Sequence, residues 1–316
     1  MTTKVAFFPH NNSLYVLRHR GILERSLPDV AWTDVDEYGR SKRAEAGGRL
    51  DLPTLHSDGL YDGAYDFIGT GSTPPVTAQA HDRDIVYVAI SGPRVENGAL
   101  VVRDDSPISS LADLRGARIG LAHGSWQTTL VLLALEKAGL SWSDIQPVPV
   151  GLPDGAQKFL DGELDAWVGA HPSLTRVQRE AAVRPLVPTA ELFSHRSVWW
   201  TRRDFAEQHR AELAAIVAAL QESDAEIVRN PQEAAEIFAR HEGVPVDDWE
   251  YALRTQPFGL HPITDDFIAE QQKAAELFLA AGLIDRPVTV ADAVLPELAE
   301  LVTAAPAAPA AVAGQR

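Results

Sequence analysis

Residues 62–74 read DGAYDFIGTGSTP and residues 161–173 read DGELDAWVGAHPS. Placing Asp62 over Asp161 aligns Gly63 with Gly162 and Asp66 with Asp165, with an apolar residue on either side of the second Asp. The copies diverge at their ends, where Ser72 falls over His171. A second pair recurs upstream: VAFFPHNNSLYVLRHRGIL at 5–23 and IGLAHGSWQTTLVLLALEKAGL at 119–140. Each gives an apolar run, a His, small polar residues, a helical segment and a Gly, so that His10 and His123 hold equivalent places. Recurrence at roughly a hundred residues is too long for a solenoid unit and points to two similar lobes.

A chain of 316 residues holds two domains of ordinary size. Its hydrophobic fraction of 45% and charged fraction of 23% are those of a globular protein. The net charge of −16 argues against binding nucleic acid, which needs a basic face. A small anion is still permitted, because a cleft can be locally positive inside an acidic protein. The absence of Cys removes disulfides, thiolate nucleophiles, Cys-ligated metals and the acylated Cys of a lipoprotein together. The opening MTTKVAFFPHNN enters an apolar run by Val5 without the layout of an export signal. No apolar run approaches about 18 residues, so no membrane insertion is expected.

Short apolar runs alternate with helical patterns over the first 190 residues, the pattern of an α/β protein with largely parallel sheets. Strands are expected near 4–8, 30–35, 65–69, 85–90, 98–103, 117–122, 146–150 and 165–169. Helices are expected near 13–20, 73–80, 109–114, 125–138 and 153–161, with Gly21 and Gly139 closing two of them. The Trp199-Trp200 pair ends a further strand, and long helices follow near 204–229, 231–242, 246–254, 265–281 and 289–302. Lobe I is therefore assigned residues 1–103 and 191–302 and lobe II residues 104–190, with a disordered Ala/Pro-rich tail at 303–316. The polar stretch 35–59, with Arg40, Lys42, Arg43 and Arg49, reads as a solvated loop leading into a helix, or as a loop offering guanidinium groups to a cleft.

In parallel α/β lobes ligands sit beyond the carboxyl ends of strands, where the next helices begin. Four such tips are His10-Asn11-Asn12-Ser13, Gly71-Ser72-Thr73 after Thr70, His123-Gly124-Ser125-Trp126, and Ala170-His171-Pro172-Ser173. Free N–H groups and the helix dipole suit an oxyanion there, and hydroxyl and amide side chains add donors. Each of Ser13, Ser72, Ser125 and Ser173 also fits an ordinary N-cap. Trp126 would form a flat wall for an organic tail. His10, His123 and His171 could hold an anion, donate hydrogen bonds, act as a general base or ligate a metal, although no metal-spacing motif is present. His56 could face the same cleft. There is no G-x-S-x-G elbow, no P-loop and no dinucleotide fingerprint, and no cofactor is expected.

FIGTGSTPPVTAQAHDRDIVYVA (67–89), VVRDDSPISSLADLRGARIGLAHGSWQTTLVLLALEKAGLSWSDIQPVPV (101–150) and LDGELDAWVGAHPSL (160–174) resemble the aliphatic-sulfonate, nitrate and taurine substrate-binding proteins of ABC importers. The resemblance spans most of residues 4–300. It implies the two-lobed type II periplasmic-binding-protein fold, a Venus flytrap that closes on a small organic anion, with a helical C-terminal portion and an ABC permease as partner. It places the ligand at Gly71, Ser72 and Thr73 in one lobe and at Gly124, Ser125 and Trp126 in the other. The family's aromatic-acidic turn is replaced by Ala170-His171-Pro172, and His10 and His123 are departures as well.

A weaker resemblance, around VRDDSPI and the Gly-Gly-containing stretch, is to hydroxybiphenyl sulfinate desulfinase. That enzyme implies a Cys after the first strand, where this chain has Pro9-His10-Asn11-Asn12. The leading expectation is a binding protein for a sulfonate-like oxyacid, with His10, Asn11, Asn12, Gly71, Ser72, Thr73, His123, Gly124, Ser125, Trp126, His171 and Arg43 at the ligand. The alternative is a cytoplasmic enzyme using His10 or His123 as acid or base. The sequence as written points to the cytoplasm, and a start lying upstream would point outside the membrane.

Overall fold

The computed structural model describes residues 2–45, 52–94 and 98–302. The tail at 303–316 and Arg49 lie outside the described residues. From the amino terminus the chain forms β1 (Lys4–Phe7), α1 (Asn12–Arg20), β2 (Ala31–Asp34), α2 (Val35–Glu45), α3 (Leu52–Tyr61), β3 (Phe67–Thr70), α4 (Thr73–Ala80) and β4 (Ile85–Ile90). It continues through β5 (Gly98–Arg103), β6 (Arg118–Leu121), α5 (Trp126–Ala138), β7 (Gln146–Pro149), α6 (Leu152–Leu160), β8 (Ala166–Ala170), α7 (Ser173–Glu180) and β9 (Val183–Pro188). The last part is β10 (Val198–Arg202) and the helices α8 (Arg203–Gln208), α9 (Arg210–Arg229), α10 (Pro231–Glu242), α11 (Val246–Arg254) and α12 (Asp265–Ala280).

Ten strands form two five-stranded sheets with matching layouts, β2-β1-β3-β10-β4 and β7-β6-β8-β5-β9. In each, three neighbouring strands run parallel and one strand runs antiparallel between its neighbours. The antiparallel strand comes from across the molecule in both cases. Strand β5 follows β4 in sequence but pairs with β8 and β9, and β10 follows β9 but pairs with β3 and β4. This corrects the expected boundary at residue 103: residues 98–103 belong to the second sheet, because Gly98 through Val101 register against Ala170 through Trp167.

The repeated phrase does the same work twice. Asp66 Oδ2 accepts from Lys4 N at 2.9 Å, and Asp165 Oδ2 accepts from Arg118 N at 2.8 Å. Each Asp also returns its own N–H to the same residue's carbonyl, at 2.8 and 2.9 Å. The two aspartates thus lock the starts of β1 and β6 to the strands that follow them. Gly63 and Gly162, at φ 73° and 78°, make the left-handed turns that deliver α3 and α6 into those strands.

The expected helix closures at Gly21 and Gly139 hold, with φ of 61° and 67°. Other elements differ from expectation. The described part of the polar stretch, 35–45 and 52–59, is helical, as α2 and α3; only Val35 and Gly39 of α2 are buried, so its apolar stripe is too short to announce a helix. Residues 289–302 form two 3-10 turns, Val290–Ala293 and Pro296–Leu301, rather than one helix. Helix α7 and strand β9 were not read from the sequence at all. Trp199 and Trp200 are buried on opposite faces of β10, in separate apolar clusters, because that strand is central and covered on both sides.

Asp66→Ala and Asp165→Ala should each cost about 1–3 kcal/mol in denaturant unfolding, because each removes the partner of a part-buried strand-end N–H. Equivalent roles demand similar losses, and a neutral result at either site would contradict this account.

Candidate functional site

The tips of the first sheet keep donors in reserve. After β1 the N-cap of α1 is Asn11, not Ser13: its Oδ1 accepts from Leu14 N at 3.0 Å. Its Nδ2, in a residue 1% exposed, has no hydrogen-bond partner among the described residues and lies over Gly69, beside the equally unpartnered Trp199 Nε1. A Cβ on Gly69 would meet Asn11 Nδ2 at 2.3 Å, so glycine is required there. Asn12 Nδ2 donates to Pro9 O at 2.9 Å and stiffens the turn.

After β3, Ser72 takes the N-cap place of α4 in a helical conformation, which turns its hydroxyl away from the cap. Ser72 is 2% exposed and its Oγ has no partner among the described residues. Gln271 Nε2 of α12 holds the Ser72 carbonyl at 2.6 Å. Thr70 Oγ1 accepts from Trp200 Nε1 at 3.0 Å and donates to Gly71 O at 2.7 Å.

The tip after β6 is self-satisfied by contrast. Ser125 Oγ accepts from Gln127 N at 3.1 Å and donates to Ala122 O at 2.7 Å. Gly124, at φ 70°, gives its N–H to Thr128 Oγ1 at 3.0 Å. Trp126, the first residue of α5, stacks its indole on His195 with ring centroids 4.0 Å apart. Its Cδ1 lies 3.6 Å from where a Cβ on Gly71 would sit, so the tips after β3 and β6 meet here. Thr73 and Thr129 hydroxyls hydrogen-bond across the same seam at 3.0 Å. Lys273–Glu136 and Arg179–Asp248, both 2.5 Å, complete the contact between lobes.

The histidines do not converge. His10 is exposed at its edge yet surrounded by protein, and this desolvation lowers its pKa against the pull of Asp36 and Glu242. It packs edge-on to Phe8 at a centroid distance of 5.7 Å, and His56 of α3 lies tilted against the same ring at 5.9 Å. Burial, then the neighbouring His10, pushes His56 down to about 4, so both imidazoles are neutral at pH 7. His123 instead lies against Trp142 at 5.5 Å. His171 bonds Thr175 Oγ1 through Nδ1 at 2.7 Å and meets Tyr251 of α11. Those two line a recess of about 250 Å³ with Gly98, Ala99, Val101 and Leu174. Among the described residues no group of three or more His, Asp or Glu could hold a metal. Arg43, on the last turn of α2, folds its guanidinium back beside Gly39.

His195 was missed on sequence. It sits in the return connection between β9 and β10 at φ 40°, a left-handed conformation that strains a side chain with a Cβ. Burial first, and then Arg94, hold its pKa well below the usual imidazole range. Nothing in the run Phe193-Ser194-His195-Arg196 signals this, because the stacking partner is seventy residues away in sequence, roughly a domain half.

Ser13 faces a buried carboxyl under the same tip. Asp224 of α9 is 1% exposed, its Oδ2 accepts from Gly259 N at 2.8 Å, and burial raises its pKa to about 7. The folded carboxyl keeps its proton up to about pH 7 whereas the unfolded one releases it near 3.8, so stability falls as pH rises between those values. Asp224→Asn should match the parent near pH 4 and exceed it by up to ~4 kcal/mol above pH 7, read by denaturant unfolding across pH.

A family model described as NMT1/THI5 like matches residues 56–234, more than half of the chain. The chain belongs to that family. A protein of Escherichia coli K12 named for binding aliphatic sulfonates is 30% identical over 234 residues, 74% of this chain and 73% of the relative. Two solved structures have the same architecture. The periplasmic aliphatic sulphonate binding protein of E. coli gives a TM-score of 0.80 at 25% identity, covering 93% of this chain and 92% of that one. The alkanesulfonate-binding protein of Xanthomonas axonopodis pv. citri, bound to MOPS, gives 0.79 at 25% identity over 93% and 98%. The NMT1/THI5-like chain thus has the two-lobed periplasmic-binding-protein fold, and its relatives at this level are binding proteins by name. They favour the substrate-binding reading over the enzyme alternative.

Proposed function

We propose that this protein is the ligand-binding component of an ABC importer and captures a sulfonate-like organic oxyacid between its lobes, working outside the membrane with a permease. The observation that carries this reading is the unspent Ser72 hydroxyl, buried at the N-terminus of α4 beside the lobe seam. A buried hydroxyl left without a partner costs free energy, and a helix N-terminus favours negative charge, so an anion's oxygen satisfies both. Thr73, Gly71 and Trp126 meet at the same seam and supply a donor, room and a flat apolar wall. Asn11 and Asn12 flank it from the tip of α1, and His10 with His56 adds neutral ring donors. Gly124 and Ser125 shape the opposite tip through their own hydrogen bonds, and His171 closes the far side with Tyr251. His123 and Arg43 are assigned to the surroundings of the cleft.

The test is isothermal titration with ethanesulfonate, hexanesulfonate and MOPS. Ser72→Ala should weaken binding by about 5–30-fold with little change in unfolding, because the hydroxyl has no protein partner to lose. Ser125→Ala should do the reverse, costing about 0.5–2 kcal/mol of stability through its lost cap with a smaller effect on Kd. A wild-type protein that binds none of the three would end the sulfonate reading.

A further inference from the structure

The connection from β4 toward β5 carries Arg94, which no motif singled out. Its N–H donates to Ser194 O at 2.9 Å, and its Nη2 donates to Ser197 Oγ. Arg94 is therefore fastened to the return connection on both sides of His195, the residue stacked on Trp126. Both passages between the lobes meet at this point. Among the described residues no ion pair includes Arg94.

Arg196, on the same connection, provides the contrast. It donates to Ser91 O at 2.7 Å and feels Glu270 and Asp266, so its charge is partly offset by its surroundings. Arg94 has only a hydroxyl for a side-chain partner among the described residues. A half-buried guanidinium with no carboxylate partner among the described residues keeps its fork open to an anion's oxygens. Burial is felt on the group itself, which it pushes down to about 10; at neutral pH Arg94 still keeps its proton and its positive charge.

We propose that Arg94 is the anion-recognising cation of the cleft, its guanidinium taking the oxyacid head group on the hinge side of Trp126. The assignment rests on the cleft being an anion site. It adds what that reading lacks, a full positive charge among neutral donors. A planar guanidinium bonds two oxygens of one head group at once, which selects sulfonate, sulfinate or carboxylate over a neutral isostere of the same shape. Because Arg94 is tied to both connections, neutralising it acts where the lobes pivot. Ligand charge then favours an arrangement that keeps the lobes in contact, as at the Thr73–Thr129 seam.

The experiment compares wild type, Arg94→Gln and Arg94→Lys by titration with hexanesulfonate and with its neutral analogue hexanesulfonamide. Wild type should prefer the sulfonate strongly. Arg94→Gln should lose about 10–100-fold for the sulfonate and little for the sulfonamide, so that the preference collapses. Arg94→Lys keeps the charge and serves if the Gln variant does not fold; it should lose about tenfold for the sulfonate, because an ammonium cannot bond two oxygens in one plane. A purely structural role would weaken both ligands together, leave the preference intact and overturn the assignment. Unchanged sulfonate affinity in either variant overturns it as well while leaving the cleft reading in place. A wild type that binds neither compound overturns both.

Discussion

Each sheet of this molecule is finished by a strand from the other half of the chain. Strand β10 inserts between β3 and β4, and β5 inserts between β8 and β9, in both cases antiparallel. Neither sheet is complete until the chain has crossed over, so the two lobes are bound to fold as one unit joined by two neighbouring passages. Those passages are held together by backbone bonds such as Ser91 N to Ser197 O at 2.9 Å and Arg94 N to Ser194 O. The cleft, its tips and its pivot all follow from that exchange.

On this symmetric frame the two halves of the site are unequal. The tip after β6 spends its hydroxyl and glycine N–H on its own turn, whereas the tips after β1 and β3 leave Asn11 Nδ2 and Ser72 Oγ buried and without a partner among the described residues. One lobe thus presents a finished surface with Trp126 at its front, and the other presents open donors. On the proposed binding reading, the self-satisfied half supplies shape and the half with open donors gains most when an anion arrives.

Much of the frame was readable because it is local. Outside 35–61 and 109–114, strand and helix positions through residue 170 follow from apolar runs and glycine stops, and the paired phrases at 62 and 161 announced the two lobes. The missed elements have weak local signals. Helix α2 buries two of its eleven residues; α7 buries Leu174 and Val177 among charged neighbours; β9 carries Pro185 and Pro188, which an edge strand tolerates but a propensity reading rejects. The site was legible to the level of tips. The equivalence of His10 and His123 in the repeat is real in position, yet their rings face Phe8 and Trp142 respectively.

The sequence by itself determined that the chain is an acidic, cysteine-free α/β protein of two related lobes, and that helix N-termini with small polar residues end four of its strands. Periodicity and composition carry that much, because they report on each segment's own neighbours. Only the tertiary structure decided which donors remain unspent, which histidines part company, and that His195 and Arg94 stand at the pivot. Those properties depend on what packs beside a group after distant segments meet, and hydrogen-bond satisfaction and charge compensation are sums over neighbours that the linear order does not name.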